Sequence, residues 1–247
     1  MGLFTKTIPL SDFYPSGYVD IHSHLLPGID DGAKDLNDSI KLIQKMSSYG
    51  IQNFRTSPHV LQEVWENSSE TIQQKADVLR TELKARGLDH INITAGAEYM
   101  MDQNFSKLLA KNDILTLKDN YVLVEMSFFN APYNLYDVLF EIQHKGYIPV
   151  LAHPERYKYY HQHFEEYQKL MDAGCLLQLN ILSLAKEQYG KPVYETALKL
   201  LKENKYTFVG SDTHHGRHLN LMEKIATKKN KKLLTPLFEN NIKTFGF

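Results

Sequence analysis

Histidines and carboxylates recur directly after the apolar runs of this sequence, in types and spacings that suit divalent metal ions. His22 and His24 stand two residues apart at the end of the first run, and Asp212 and His214 repeat that spacing after the last. Side chains two apart on an extended strand point to the same side, so each pair can hold one ion. Further candidates follow the intervening runs: His59, Glu98, Glu125 and His153. The sequence therefore predicts a metal site with nitrogen and oxygen ligands.

The number of candidate ligands predicts more than one ion. One carboxylate of the adjacent pair Asp30 and Asp31 completes a set of five histidines and four carboxylates, without a thiolate. At about three or four ligands per ion, with a bridging carboxylate, this set suits roughly two to three divalent cations such as Mn, Fe, Zn or Mg. Three such cations outweigh the carboxylates by about two positive charges, which a phosphate dianion would balance. We therefore expect the substrate to be a phosphate ester.

Three arginines are candidates for holding the phosphoryl group. Arg55, Arg156 and Arg217 each stand within four residues of a histidine of the set. A guanidinium can bind phosphoryl oxygens through two parallel hydrogen bonds, although a lone arginine is more often part of a surface ion pair. Arg156 is the strongest candidate because it lies in the turn directly after the fifth apolar run. His215 and His218 match no ligand position and are candidates for contact with substrate.

Seven short β-branched or aromatic runs alternate with segments of helical periodicity and would position these residues. The runs cover 18–21, 52–56, 91–94, 121–125, 148–152, 175–179 and 207–210. Helices are predicted between them, among others at 36–49, 69–86, 135–145, 164–173 and 193–203. This alternation predicts an α/β fold with a mainly parallel sheet, and seven units favour a closed or nearly closed barrel over two domains. In such a barrel the carboxyl ends of the strands meet on one face, where the candidate ligands would converge.

Composition narrows the class of protein. The chain has 247 residues and a formal net charge of -1 at pH 7, so no overall field would draw it to nucleic acid. A single cysteine, Cys175, excludes an internal disulfide and a thiolate-rich metal site. We find no apolar stretch of signal-peptide or membrane-span length. We therefore expect a cytoplasmic protein without stable membrane insertion.

Six motifs, in their order and spacing, resemble those of the polymerase and histidinol phosphatase (PHP) superfamily. They are DIHSHLLPGIDDG, TSPH, GAE, VEM, LAHPERY and SDTHH, and the resemblance runs from Gly17 to nearly the end of the chain. More narrowly, the chain is similar to the bacterial manganese-dependent protein tyrosine phosphatases of capsule and exopolysaccharide synthesis. HSH followed by DDG is the most specific element. The resemblance implies hydrolysis of a phosphotyrosine protein, with the C-terminal tail of a membrane tyrosine autokinase as partner.

The resemblance also implies a distorted (β/α)7 barrel of the PHP type, with a trinuclear site, most simply of manganese, at the C-terminal ends of the strands. The implied ligand groups are His22, His24, Glu98 and Asp212 for one ion, Glu98, Glu125 and His153 for a second, and Asp31, His59 and His214 for the third. The second aspartate of DDG aligns with the family, which selects Asp31. Arg156 and Arg217 would bind phosphate. Asp212, His214 or a metal-bound water would protonate the leaving group.

The N-terminal segment departs from the family pattern, since such chains commonly begin almost at the first strand. We expect residues 1–17 to form an extension packed on the barrel and residues 18–247 to form the PHP phosphatase domain. The sequence assigns no role to the extension or to the five lysines between Lys224 and Lys232, and it predicts no oligomeric state.

Other functions fit parts of the pattern. A small-molecule phosphatase such as a histidinol phosphatase would share the metal site, but the DDG after HSH argues against it. A non-catalytic phosphotyrosine-binding protein could use the same cleft, but the presence of all nine ligands argues against that. A cysteine-dependent phosphatase is excluded, because Ile181 stands six positions after Cys175, where that mechanism needs an arginine.

We predict that Cys175→Ser keeps turnover close to the parental rate, because the expected chemistry uses metal ions and no thiolate. The measurement is the hydrolysis rate of the variant beside its metal content and melting temperature. A variant that folds and binds metal normally, yet is inactive, would contradict the metal mechanism.

Overall fold

The computed structural model describes residues 6–247. The strands are β1 (Val19–Asp20), β2 (Asn53–Thr56), β3 (His59–Val60), β4 (Asn92–Ala95), β5 (Glu98–Met100), β6 (Tyr121–Glu125), β7 (Ile148–Ala152), β8 (Leu176–Asn180) and β9 (Phe208–Gly210). The helices are α1 (Leu10–Phe13), α2 (Leu36–Ser48), α3 (Ser69–Ala85), α4 (Gln103–Ala110), α5 (Leu135–His144), α6 (Glu165–Asp172), α7 (Lys186–Tyr189), α8 (Lys191–Lys202), α9 (Gly216–Ile225) and α10 (Lys228–Phe245). Single 3-10 turns cover Pro154–Arg156, Lys158–Tyr160 and Ile181–Leu184.

The strands follow one another around a distorted parallel barrel. One sheet has the order β1-β2-β4, the other has the order β3-β5-β6-β7-β8-β9, and all paired strands are parallel. The first and last strands meet beyond their ends, where Ser23 and Thr213 form a parallel bridge and the Asp212 N–H donates to the His22 carbonyl at 2.7 Å. The expected (β/α)7 barrel is therefore confirmed, with β2 and β3 sharing one strand position and β4 and β5 another.

Each of the seven predicted runs overlaps an observed strand, but the second and third positions continue into short strands that the sequence did not predict. Pro58 interrupts the second position, because proline has no N–H to donate to the ladder. Beyond the interruption, β3 and β5 pair with His59 opposite Glu98. The break therefore brings two candidate ligands side by side at the end of the barrel.

The helices begin where the sequence supplies a side-chain cap. Asp35 accepts the Asp38 N–H at 2.9 Å at the start of α2, and Ser68 forms a capping box with Thr71 at the start of α3. Such caps satisfy N–H groups that have no partner within the helix. The helices cover the outside of the barrel, and their buried side chains pack with those of the strands to form the larger part of the hydrophobic core. Among the described residues, no helix combines the length and the apolar character that a membrane crossing would need.

The described part of the N-terminal extension packs against the C-terminal helix. The ring of Phe13 lies 5.7 Å from that of Phe238 in α10, and Thr7 forms an antiparallel bridge with Thr227 just before that helix. That residues 1–17 form an extension packed on the barrel stays a prediction, and residues 1–5 lie outside the described chain. The domain boundary at residue 17 stays a prediction.

Two glycines allow the strand ends to approach one another at the candidate site. A Cβ atom at Gly210, at the end of β9, would lie 2.5 Å from the Cβ of His22. A Cβ atom at Gly32, in the DDG motif, would overlap the backbone and Cβ of His24. Both positions therefore require glycine because any side chain would displace a candidate ligand.

Candidate metal centre

The nine side chains predicted as metal ligands converge at the carboxyl ends of the strands. Their nitrogen and oxygen atoms form four overlapping groups, each with ligand atoms within 4.8 Å of one another: His24, Asp31, His59 and His214; His22, His24 and Asp212; His22, Glu98 and His153; and His59, Glu98 and Glu125. Each nitrogen or oxygen set of this kind suits a divalent ion. The grouping differs from the expected one at His153, whose Nε2 lies 4.0 Å from Glu125 but 3.0 Å from Glu98. That these residues bind metal stays a prediction.

Glu98 lies at the centre of the cluster and is fully buried. Its Oε2 atom lies 3.1 Å from His22 Nε2, 3.4 Å from His24 Nε2 and 3.1 Å from His59 Nδ1. Its Oε1 atom lies 3.0 Å from His153 Nε2. One carboxylate thus contacts four imidazoles from three different strand positions, an arrangement that suits a carboxylate bridging two ions.

The imidazoles of His22 and His24 are oriented by acceptors behind them. Gln178 Oε1 lies 2.9 Å from His22 Nδ1, and Asp30 Oδ2 lies 2.7 Å from His24 Nδ1. An acceptor on Nδ1 fixes the proton there and leaves the Nε2 lone pair free to bind a metal. Both Nε2 atoms face the cluster.

The adjacent aspartates Asp30 and Asp31 have different roles. Asp30 is buried, and besides His24 its oxygens accept the backbone N–H groups of Gly32 at 3.0 Å and His59 at 3.1 Å. Asp31 is half exposed, and its Oδ1 lies 3.6 Å from His59 Nε2 and 3.4 Å from His214 Nε2. The geometry therefore agrees with Asp31 as the ligand and makes Asp30 a positioning residue, which the sequence did not predict.

Unpaired buried atoms show that the cluster fits a cation. The buried atoms His59 Nδ1 and Glu98 Oε2 have no hydrogen-bond partner among the described residues, although they lie only 3.1 Å apart. His59 Nδ1 also lies 3.0 Å from Glu125 Oε1. A buried polar atom without a partner costs about 1–3 kcal/mol, which metal coordination would offset. The donor set and its unpaired atoms thus fit divalent ions.

Burial and mutual contacts shift the pKa values of the cluster. Burial alone would raise the pKa of Glu98, but His22 and His59 hold it well below the usual value. The pKa of Asp31 is lowered to about 2 by its hydrogen bond with His214. Against the effect of burial, Glu98 raises the pKa of His59 to about 9. Since Glu98 and Asp31 stay ionised at neutral pH, they attract cations, and metal binding would release protons from the histidines.

Left-handed backbone conformations direct two of the candidate ligands. His153 has a φ angle of 39° and Asp212 one of 49°, directly beyond β7 and β9. For residues other than glycine this region costs roughly 1–3 kcal/mol and persists only where neighbouring structure imposes it. The backbone N–H of His153 donates to the Gln178 carbonyl at 2.9 Å and holds the turn in place.

Arg156 is held at the cluster by an ion pair and two aromatic rings. Its Nη1 donates to Asp212 Oδ2 at 2.9 Å, and its guanidinium lies 4.5 Å from the ring centroid of Phe128 and 4.4 Å from that of Tyr189. Asn180 Nδ2 donates to the same Asp212 oxygen at 2.7 Å. Arg156, Phe128 and Tyr189 line a cavity of about 290 Å³ together with six of the nine candidate ligands, and its lining also includes His215 and His218, the two histidines predicted to contact substrate.

The other two arginines do not reach this cavity. Arg55 donates from Nε and Nη2 to the Phe245 carbonyl at 3.1 and 2.9 Å, so the expectation that it could hold phosphate is wrong. Its strand, β2, directs the side chain towards the end of α10. Arg217 is exposed in the first turn of α9 and does not line the cavity. Its role in binding phosphate stays a prediction.

Sequence reasoning missed the residues that orient the cluster. Gln178 and Asn180 carried a usable signal, because two polar residues alternate with leucines in β8 and therefore point to the same side of the strand as each other. Phe128 and Tyr189 carried none, since only the tertiary structure brings them to either side of Arg156.

Fold and cluster together define a class of protein: a parallel βα barrel with a candidate metal centre at the carboxyl ends of its strands. The chain belongs to the family described as capsular polysaccharide synthesis, CpsB/CapC, which matches residues 18–243.

Named relatives agree with this assignment. The chain is 32% identical to the tyrosine-protein phosphatase YwqE of Bacillus subtilis (strain 168), over 82% of this chain and 79% of the relative. It is 28% identical to the tyrosine-protein phosphatase CpsB of Streptococcus pneumoniae, over 80% of this chain and 83% of that one.

Solved structures show the same likeness. A first match comes from the crystal structures of YwqE from Bacillus subtilis and CpsB from Streptococcus pneumoniae, which are described as unique metal-dependent tyrosine phosphatases. It has a TM-score of 0.81 and 30% sequence identity, and it covers 92% of this chain and 94% of that one. The histidinol phosphate phosphatase of Lactococcus lactis matches with a TM-score of 0.53 at 15% identity, over 89% of this chain and 94% of that one, which shows a shared fold.

We predict that Asp30→Asn weakens metal binding by about 10- to 100-fold, the usual scale for losing a partner that orients a ligand. An amide has one acceptor oxygen, whereas the Asp30 carboxylate accepts from His24 and two backbone N–H groups. Calorimetric titration of the metal-free protein with Mn²⁺ measures the effect. Asp89→Asn, an exposed change away from the site, is the control, and equal affinities in the two variants would remove Asp30 from this role.

Proposed function

We propose that this chain is a metal-dependent tyrosine-protein phosphatase that acts in capsular polysaccharide synthesis. The observation that carries the proposal is the position of Arg156, whose guanidinium shares one cavity with the candidate ligand cluster. A phosphoryl group bound there would meet cations on two sides. The family and the names of the relatives support the same activity.

The candidate metal ligands and Arg156 would have different roles in hydrolysis. The bound ions would supply an activated water and neutralise the charge of the phosphoryl oxygens. Arg156 presents its remaining N–H groups to the phosphoryl group, while its contact with Asp212 and the two rings keeps the guanidinium from turning away. This preorganisation favours the transition state because no reorientation is needed during the reaction.

Asp212 and His214 are the two residues proposed to protonate the leaving group, and both are engaged within the cluster. Asp212 Oδ2 accepts from Arg156 and Asn180, while its Oδ1 lies 3.4 Å from the Nε2 atoms of His22 and His24. His214 Nδ1 lies 2.9 Å from the Asp212 carbonyl, and its Nε2 lies 3.4 Å from Asp31 Oδ1. A water held by the ions would be the third candidate. A phenolic leaving group, with a pKa near 10, needs only modest help from an acid.

The metal, the substrate and the location in the cell are part of this proposal. Imidazole and carboxylate ligands without a thiolate suit Mn, Fe, Zn or Mg, and Mn²⁺ is proposed among these by resemblance to the family. The substrate is proposed to be a phosphotyrosine in the C-terminal tail of a membrane tyrosine autokinase, by resemblance to the family. A cytoplasmic location agrees with the one buried, free cysteine.

A comparison of substrates and metals tests the proposal. Metal-free protein is reconstituted with Mn²⁺, Fe²⁺, Zn²⁺ or Mg²⁺ and assayed on a phosphotyrosine peptide, the matching phosphoserine peptide and histidinol phosphate. We expect fastest turnover of the phosphotyrosine peptide with Mn²⁺, no turnover after chelation, and roughly two to three ions per chain. Preference for histidinol phosphate would favour a small-molecule phosphatase. Binding of phosphotyrosine without turnover under any metal would favour a binding protein.

We predict that Arg156→Ala lowers turnover of a phosphotyrosine peptide by about 10²- to 10³-fold, the usual loss for one transition-state donor. Arg86→Ala is the control, because Arg86 forms only exposed contacts, namely an ion pair with Glu82, worth about 0–1 kcal/mol, and a hydrogen bond from Nη2 to Asn37 Oδ1. Arg217→Ala, assayed beside them, tests the remaining sequence prediction. A loss below tenfold at Arg156, with parental metal content and melting temperature, would show that Arg156 does not bind the phosphoryl group.

A further inference from the structure

A second cavity, of about 570 Å³ and largely apolar, adjoins the candidate metal centre. Its walls include Leu61, Trp65, Met100, Phe128, Phe129 and Pro132. Three candidate ligands, Asp31, His59 and Glu125, line both this cavity and the polar one that holds Arg156. The two cavities therefore open onto the same candidate ligands.

The walls of the apolar cavity are continuous with the candidate ligands along the chain. Leu61 follows His59 by two residues, and Met100 follows Glu98 by two. Phe128 stands three residues beyond the ligand Glu125. The barrel strands that position the candidate ligands thus also set the distance from these ligands to the apolar walls.

The wall that carries Trp65 is a closed turn. Leu61 and Trp65 exchange backbone hydrogen bonds of 3.0 and 2.9 Å, and the Gln62 N–H donates to Asp102 Oδ2 at 3.0 Å. Because Asp102 also caps α4 through the Phe105 N–H, the turn is tied to the body of the protein. A wall fixed in this way is preorganised, so a ligand would lose little affinity to ordering it.

We propose that this cavity binds the aromatic ring of the phosphotyrosine substrate while the metal centre and Arg156 hold its phosphoryl group. The proposal rests on the function proposed above and adds the residues that recognise the ring. Apart from the candidate ligands, Asp102 is the one ionisable residue among the described residues that line the cavity. An apolar occupant is therefore favoured over a charged one.

A neighbouring groove on the other side of Phe128 is the competing place for the ring. This groove, of about 440 Å³, is lined by Phe128, Phe129, Arg156, Lys158, Gln188, Tyr189 and Val193. It contains two cationic side chains but no candidate metal ligand. A ring attached to a phosphoryl group at the ions reaches the Trp65 cavity directly, whereas the groove begins beyond Arg156.

The position of Trp65 allows a direct binding test, because it is the one tryptophan of the sequence. The Mn²⁺-loaded protein is titrated with phenylphosphonate and, separately, with methylphosphonate, which lacks the ring, while tryptophan emission is recorded with excitation at long wavelength. We expect phenylphosphonate to bind more tightly and to change the emission saturably, and methylphosphonate to leave it unchanged at saturation. Equal affinities, or an emission change that does not depend on the ring, would overturn the proposal.

Kinetics of variants give a second, independent test. Trp65→Ala is expected to lower kcat/KM for a phosphotyrosine peptide by about tenfold or more, mainly through KM, as loss of a hydrophobic pocket contact does. Trp65→Phe should restore most of this loss, and Lys158→Ala, an exposed change in the neighbouring groove, should resemble the parent.

The two proposals fail in different ways. If the parent hydrolyses the phosphotyrosine peptide with none of the four metals, the proposed function is wrong. If the parent hydrolyses it and Trp65→Ala matches the parent in KM, the function stands and the ring does not bind in this cavity. A stronger effect of Lys158→Ala than of Trp65→Ala would place the ring in the neighbouring groove and would equally overturn the inference.

Discussion

A fully buried carboxylate among imidazoles is the constraint on which the rest of this structure depends. Glu98 contacts four histidines from three strand positions, and its Oε2 atom has no hydrogen-bond partner among the described residues. A buried charge persists only when it is paired or coordinates a metal. The break in the second and third strand positions, which sets His59 opposite Glu98, is understandable as the geometry that this site requires.

The surroundings of the cluster restrict the freedom of its side chains. Asp30 and Gln178 fix the proton positions of the two histidines of the HSH motif, and Asn180 holds Asp212 together with Arg156. These contacts come from strands and turns rather than from mobile loops, which is how precise ligand geometry is maintained. The left-handed backbone of His153 and Asp212 is strained, and the same neighbouring contacts hold it in place.

Sequence reasoning identified the parts of the site that follow from strand periodicity. The candidate ligands stand where apolar runs end, and parallel strands end on one face, so their convergence could be predicted. Closeness in sequence to His59 did not predict the position of Arg55. Neighbouring residues of a strand point to opposite sides, and the Arg55 side chain donates to the Phe245 carbonyl instead. The spacing of residues in the sequence also did not predict the contacts of Arg156 with Phe128 and Tyr189, because these contacts join segments that are distant in the chain.

Phe128 lies on the boundary between the two kinds of chemistry that a phosphotyrosine phosphatase needs. Its ring lines both cavities, contacts the guanidinium of Arg156 on the polar side and forms a wall of the apolar cavity with Trp65. The polar side suits a dianion, whereas the apolar side suits a ring and gains little from a short alkyl ester. Selection for tyrosine would then come from the chain segments that follow the ligands, and the metal cluster itself would serve any phosphate ester. In this division the strand ends would carry the chemistry, and the turns beyond them would carry the recognition of the substrate.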